Sequence, residues 1–172
     1  MRHSLAAALG VAVALGAACG GAQRPDGPRR RPIDPVVLPL VEGGELDLTE
    51  LRGRGVVLFF FTTYSGPAQA LAPFVVQVRR RHAEQELAIV GVALDEPAAA
   101  TVVEAWRDFV GVPFPVALAD ADLVAGRSPL GPIPAVPSFA FLDRHGALVG
   151  WETRLLGEQE LDRLVRELLE MP

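Results

Sequence analysis

The sequence predicts an α/β fold with a central β-sheet and helices packed on its faces. Two apolar runs, residues 56–61 and 87–93, are rich in β-branched or aromatic side chains, which is typical of buried strands. A segment with helical patterning follows each run, and this alternation favours parallel strands joined by crossover helices. The chain has 172 residues, 50% of them apolar, which suits a single domain with short appendages.

Charge and cysteine content restrict the classes of function. The formal net charge is −5, and all 16 basic residues are arginines scattered along the chain, so a nucleic-acid partner is not expected. The one cysteine, Cys19, precedes the predicted domain. No disulfide can therefore form within one chain.

Residues 1–18 are predicted to be a signal peptide. They begin with Arg2 and His3, continue as an apolar run over residues 5–15, and end in small residues. The run is too short to span a bilayer comfortably, and the small residues fit a cleavage site. We therefore expect the mature protein to lie outside the cytoplasm, in a bacterial cell envelope.

Cys19 follows two alanines and resembles the lipidated cysteine of a bacterial lipobox, with Gly16 where leucine is usual. Lipidation would anchor the protein to a membrane, and the lack of aspartate at position 20 favours the outer membrane or the periplasmic face. A secreted form with a free Cys19 thiol is the alternative. Residues 19–34 are rich in Pro, Gly and Arg and are predicted to be a tether, in which Arg29-Arg30-Arg31 is interpreted as solvated.

The predicted domain, residues 35–172, opens with a short hairpin. Its strands are residues 36–40 and 45–51, with Gly43-Gly44 at the turn. Strand 56–61 then leads through a short loop into a helix opened by Ser65-Gly66-Pro67, residue types that favour a helix start. That helix contains Pro73, which should kink it. Its core-facing stripe is predicted to be Leu71, Val75, Val78 and His82.

The second half continues the alternation. After strand 87–93, a helix from Pro97 to about Val110 is predicted, ending at Gly111, with Val102, Trp106 and Phe109 on one face. A brief strand over residues 114–118 follows, and then an acidic stretch over residues 120–122 with no clear pattern. The chain is predicted to close with strand 139–142, a turn over residues 143–146, strand 147–152, and an amphipathic helix after Gly157.

The loop after strand 56–61 carries the resemblance to a known family. Tyr64-Ser65-Gly66-Pro67-Ala68, Pro73, and Val136-Pro137-Ser138-Phe139 together resemble the thioredoxin-fold thiol-disulfide oxidoreductases of the TlpA/ResA type. In that family the loop reads Trp-Cys-Gly-Pro-Cys, so Ser65 and Ala68 stand at the two cysteine positions. The resemblance implies a thioredoxin-like domain with a central mixed sheet flanked by helices, a TlpA-type helix-strand insertion, and a cis-proline at Pro137.

Thiol chemistry is not expected at this loop. Thiol-disulfide exchange needs an attacking thiolate and a resolving thiol, and Ser65 and Ala68 supply neither. A serine hydroxyl needs a general base, but His82 falls some four turns along the same helix and His145 lies in a distant turn. Ser65 is therefore predicted to cap the helix, with no catalytic residue, metal or cofactor expected.

The resemblance leaves a surface on which family members hold an extended substrate chain. Here the corresponding groove would consist of Thr63, Tyr64, Ser65, Gly66, Pro67, Val136 and Pro137. Tyr64 would be either an exposed aromatic anchor or a packed residue with its hydroxyl at the surface. The expected function is a redox-inactive envelope lipoprotein that binds an envelope or secreted polypeptide in this groove.

Two alternatives remain open from the sequence. The first is a thiol-disulfide oxidoreductase that uses a supplied thiol, such as Cys19 of a partner copy, an option that acylation of Cys19 would remove. The second is a structural component of the envelope in which the groove is unused. It predicts that changes at Tyr64 and Val136 affect nothing except stability.

Overall fold

The structure, a computed structural model, describes residues 31–172. The predicted signal peptide, Cys19 and most of the predicted tether lie outside these residues. No helix within residues 31–172 is long and apolar enough to cross a membrane. Ile33 donates its N–H to the carbonyl of Gly146 at 2.9 Å, so contact with the domain begins two residues before the boundary predicted at residue 35.

Seven strands and four helices make up the domain. The strands are β1 (Val37–Pro39), β2 (Glu45–Asp47), β3 (Gly55–Phe61), β4 (Leu87–Ala93), β5 (Val116–Leu118), β6 (Ser138–Leu142) and β7 (Leu148–Glu152). The helices are α1 (Gly66–Arg81), α2 (Ala100–Val110), α3 (Ala121–Val124) and α4 (Glu158–Leu169). The hairpin, the two long buried strands, the proline-containing helix and the C-terminal helix predicted from the sequence are all confirmed.

The main sheet is mixed and has five strands in the order β5-β4-β3-β6-β7. Strands β3, β4 and β5 are parallel, whereas β6 and β7 pair antiparallel. Strand β3 lies at the centre, and every residue of β3 and β4 is buried, as expected for strands covered on both faces. The predicted α/β architecture with a central mixed sheet is therefore confirmed.

Two hydrophobic cores cover the two faces of the sheet. On one face, helices α1 and α4 pack over Phe59, Phe61 and Phe139, and the Phe59 ring stacks on the other two at centroid distances of 5.3 and 5.1 Å. On the other face, Phe60 packs against Trp151 at 5.1 Å, beneath the β1–β2 hairpin. Successive side chains of β3 point to opposite faces of the sheet, so this one strand contributes residues to both cores.

The predicted apolar face of α2 was wrong. Val102 and Phe109 are 56% and 91% exposed, whereas Val103 is fully buried. Trp106 belongs to both possible faces and stacks on Phe61 at 4.4 Å. Residues 102, 106 and 109 and residues 103, 106 and 110 both satisfy helical spacing, so docking of Trp106 on the sheet decided which series is buried.

Three smaller predictions also need correction. Residues 48–51 form a 3-10 helix instead of continuing the second strand, because the Asp47 side chain caps it by accepting from Thr49 N–H at 2.8 Å. Strand β5 begins at Val116, just after Pro115, which has no N–H to donate to a ladder. The acidic stretch is the start of α3, where Asp120 accepts the N–H of Leu123 at 2.7 Å.

Candidate functional site

The loop between β3 and α1 lies at the carboxyl end of the parallel strands. Ser65 adopts extended backbone angles and its Oγ accepts the N–H of Ala68 at 3.4 Å, so the prediction that Ser65 caps α1 is confirmed. Pro67 falls in the first turn of the helix, where its missing N–H costs nothing. The Ala68 side chain is fully buried and contacts the core under α1.

Asp95 anchors this loop from the neighbouring strand. Its carboxylate accepts the main-chain N–H of Thr63 at 3.0 Å and the Thr63 hydroxyl at 2.5 Å, and the residue is only 6% exposed. Gln69 Nε2 in turn donates to the Thr63 carbonyl at 2.7 Å. The main-chain N–H and carbonyl of Thr63 are thus both held, by side chains from the segment after β4 and from α1.

Asp95 and Gln69 were not among the site residues predicted from the sequence. The parallel register pairs Phe61 with Ala93, so residues two positions beyond each strand, Thr63 and Asp95, emerge side by side. An aspartate directly after a continuous buried strand was the available signal, since buried carboxylates require hydrogen-bond donors. Identifying the donor required the register of β3 against β4.

Val136 and Pro137 lie next to the same loop. Strand β6 pairs with β3 so that Ser138 is opposite Phe60, which brings the residues before β6 beside the residues after β3. The Val136–Pro137 peptide bond is cis. Val136 is 41% exposed, and its main-chain N–H and carbonyl have no hydrogen-bond partner among residues 31–172.

The surface formed by these residues is largely apolar. Tyr64 is 78% exposed, so of the two alternatives the structure favours the exposed aromatic ring. Gly66 and Pro67 are also exposed, Thr63 and Ser65 are half-buried, and Pro137 is buried. The structure therefore brings the seven predicted groove residues to one end of the sheet. We use the term groove for these seven residues below.

The residues weighed as bases for Ser65 lie elsewhere. His82 is the C-terminal cap of α1, and its Nε2 lies 2.8 Å from Asp162 Oδ1 on α4. His145 is exposed in the β6–β7 turn. Within residues 31–172, no group of three or more His, Cys, Asp or Glu side chains is arranged to hold a metal ion.

Comparison with known proteins identifies the fold and its relatives. The model of the AhpC/TSA family matches residues 31–148. The thiol-disulfide oxidoreductase ResA of Bacillus anthracis is 29% identical over 124 residues, covering 72% of this chain and 67% of that protein. ResA of Halalkalibacterium halodurans is 29% identical over 135 residues, covering 78% and 72%.

Solved structures agree with this assignment. A thiol:disulfide interchange protein of the thioredoxin family from Chlorobium tepidum TLS superposes with a TM-score of 0.72 at 24% identity, covering 84% of this chain and 99% of that one. MTB dsbF superposes with a TM-score of 0.65 at 27% identity, covering 77% and 94%. The predicted thioredoxin-like fold and the resemblance to ResA-type oxidoreductases are confirmed.

Proposed function

Because the chain belongs to the AhpC/TSA family and its relatives are thiol-disulfide oxidoreductases, we propose that it is a redox-inactive member that binds a polypeptide in the groove. One loop combines the two features that carry the proposal. Ser65 and Ala68 occupy the positions of the two family cysteines, and the surface around them is exposed, apolar and held in place by Asp95.

Without the two thiols, this loop cannot carry out thiol-disulfide exchange, but the structure of the loop and of the helix start remains. Ser65 Oγ accepts a hydrogen bond from the helix terminus, and Ala68 is packed in the core. A helix N-terminus can stabilise a thiolate, but a serine hydroxyl is too weak an acid for the same effect to ionise it. Of the histidines in the described residues, His82 contacts Asp162 on α4 and His145 lies in the turn at the opposite end of the sheet, so neither can serve as a general base for Ser65.

The groove has the properties that an extended peptide requires. The main chain of Val136 offers one N–H and one carbonyl for strand addition, and the Tyr64 ring supplies apolar contact area. Asp95 and Gln69 hold the main-chain N–H and carbonyl of Thr63 in place before a partner binds. Binding to such a prearranged surface loses little conformational entropy.

The proposed location is the bacterial cell envelope. Residues 1–18 would direct export, and lipidation of Cys19 would leave the domain attached to a membrane by the tether. The proposed partner is accordingly an envelope or secreted protein with an extended segment.

Photo-crosslinking in the native envelope tests the groove. A photo-reactive amino acid is placed at Tyr64 and, as a matched control, at Arg163, which is exposed on α4. Tyr64 is a better position than Ser65, because replacing an N-cap costs about 1 kcal/mol of helix stability. We expect a discrete adduct from position 64 only, and mass spectrometry would then name the partner.

Two outcomes would contradict the proposal. If the folded protein gave no adduct at either position, the groove would be unused, and a structural role in the envelope would be the better account. Equal adducts at both positions would indicate contact that is not specific to the groove.

A second candidate function follows from the names of the relatives, which are thiol-disulfide oxidoreductases. In this case Cys19 of a partner copy would attack the substrate disulfide and release one substrate thiol. A second thiol, from another Cys19 or from an added thiol reductant, would then resolve the mixed disulfide. The test compares reduction of a peptide disulfide by the full chain and by its Cys19→Ser variant. Activity that disappears with Cys19 would favour this candidate over redox inactivity.

A further inference from the structure

The end of the molecule opposite the groove is rich in arginine. Arg52 and Arg54 precede β3, and Arg79 and Arg80 occupy the last turn of α1. Arg144 lies in the β6–β7 turn. These five residues, which we call the arginine end, come together because the amino end of β3, the carboxyl end of α1 and the β6–β7 turn meet at one edge of the sheet.

None of these five arginines has a carboxylate within 4.0 Å in the described part of the chain, and Arg52, Arg54, Arg80 and Arg144 are exposed. The other arginines between residues 32 and 172 all form ion pairs: Arg81, Arg107, Arg127, Arg154, Arg163 and Arg166. Arg79 and Arg144 donate to main-chain carbonyls of His82 and Leu169. Unpaired cationic charge is thus concentrated at one end.

A helix carboxyl terminus favours nearby cations, which accounts for Arg79 and Arg80. It does not account for Arg52 and Arg54, which precede a strand. Arg52, Arg54 and Arg79 line a surface cleft with a volume of about 470 Å³. Glu84 and Glu86 also line it, yet neither forms an ion pair with the arginines, so the guanidinium groups stay available for an external anion.

The chain enters the fold at this same end. Ile33 N–H donates to the carbonyl of Gly146, two residues after Arg144. Arg29, Arg30 and Arg31 precede Ile33 with one residue between, and Cys19 is 14 residues before Ile33. Ser65 lies at the other end of α1, which spans about 24 Å at a rise of ~1.5 Å per residue.

We propose that the arginine end lies against an anionic phospholipid surface, with the groove directed away from it. Guanidinium groups bind phosphate oxygens in bidentate fashion, and unpaired guanidiniums bind without first breaking an ion pair. The orientation would keep Tyr64 and Val136 accessible to a partner. This inference is separate from the peptide-binding proposal, since it concerns the opposite end and requires no occupant of the groove.

Vesicle binding tests the proposal without the lipid anchor. The protein used is residues 19–172 carrying Cys19→Ser, which retains every strand and helix of the described domain. We expect this protein to bind vesicles that contain phosphatidylcholine and phosphatidylglycerol, and not to bind vesicles of phosphatidylcholine alone. The bound protein should dissociate as the salt concentration rises.

Two double variants distinguish the effect of where the arginines lie from the effect of the net charge of the protein. Arg54→Gln/Arg80→Gln removes two unpaired arginines, and Arg127→Gln/Arg163→Gln removes two that are paired elsewhere. One arginine near an anionic surface contributes a factor of about five, so we expect the first variant to bind at least about tenfold more weakly. Equal binding by the two variants, with both folded by circular dichroism, would overturn the proposal.

Orientation has its own measurement, because the Cys19→Ser chain has no cysteine. Single labels are introduced by Ala83→Cys at the arginine end and by Ala98→Cys, which lies beyond the opposite end of β4 and is also exposed. Energy transfer to acceptors on lipid headgroups should be stronger from position 83. Equal transfer from both positions would contradict the proposed orientation even if the protein bound.

Discussion

Ser65 and Ala68 are well suited to the places they occupy. The serine hydroxyl accepts a helix-terminal N–H, and the alanine methyl group is fully buried without leaving a polar atom unpaired. Each substitution removes a thiol while keeping a residue that the local structure accepts. The loop therefore keeps a capped helix start with no thiol at either position.

Asp95 is expected to be the residue on which the shape of the loop depends most. Asp95→Ala leaves the N–H and the hydroxyl of Thr63 without their acceptor, and we expect it to lower the free energy of unfolding by about 2 kcal/mol. Urea denaturation measures the change. Asp95→Asn should cost less, because an amide oxygen still accepts one of these bonds.

Glu96→Ala is the matched control for this prediction. Glu96 is the next residue and is exposed, so its replacement should change stability by no more than about 0.5 kcal/mol. If Asp95→Ala behaved like the control, the loop would be held by contacts other than this carboxylate.

At the scale of elements, α1 and α4 are joined by a charged cluster around Asp162. Its Oδ1 lies 2.8 Å from His82 Nε2 and 3.1 Å from Arg81 Nη1, and the residue is 9% exposed. Burial alone would raise the pKa of Asp162. Hydrogen bonds from His82 and Arg81 outweigh that effect and hold its pKa below the ordinary value.

This arrangement predicts a dependence of stability on pH. A carboxylate with a lowered pKa in the folded state stabilises the fold above its unfolded-state pKa of about 3.9. That contribution is lost as pH falls through the folded-state pKa. Asp162→Asn should therefore be less stable than wild type at pH 7, by about 1 to 3 kcal/mol, and the difference should shrink under acid.

The measurement is thermal unfolding of wild type and of Asp162→Asn, from pH 7 to pH values below about 3.9. Arg163→Gln is a suitable control, since its ion pair with Glu167 on the same helix is solvent-exposed and does not reach α1. A difference between wild type and Asp162→Asn that stayed constant with pH would mean that the ionised carboxylate is not what joins the helices.

At the scale of the whole molecule, the chain retains the family scaffold with the thiols removed. We expect Ser65→Cys/Ala68→Cys, made in the Cys19→Ser background, to gain dithiol-dependent reduction of a peptide disulfide. A thiol at position 65 would lie at the N-terminus of α1, so its pKa should fall at least about one unit below the free value of ~8.5.

Titration of thiolate absorbance in the single variant Ser65→Cys, also made in the Cys19→Ser background, gives that pKa directly. The single variant should form mixed disulfides without turnover, because no resolving thiol is present. If the double variant folded but showed neither a lowered pKa nor activity, this chain would have lost more of the family site than two sulfur atoms.

The sequence alone was sufficient to predict the strands, the proline-containing helix, the cap at Ser65 and the resemblance to thioredoxin-fold oxidoreductases. Those features depend on local patterns, such as a run of buried residues in β3 or a Ser-Gly-Pro start. The prediction failed where one local pattern was compatible with two buried faces. Both possible faces of α2 contain Trp106, and packing of Trp106 on Phe61 selected the face with Val103.

Only the tertiary structure brought Asp95 to Thr63, exposed Tyr64, and gathered arginines from three separate segments at one end. Each of these depends on which strands are neighbours and in what register, which no residue encodes through its near neighbours along the chain. The sequence therefore determined the elements and the missing thiols, since both are properties of consecutive residues. The anchored loop and the arginine end were decided by the sheet, because contacts between distant segments form only when it assembles.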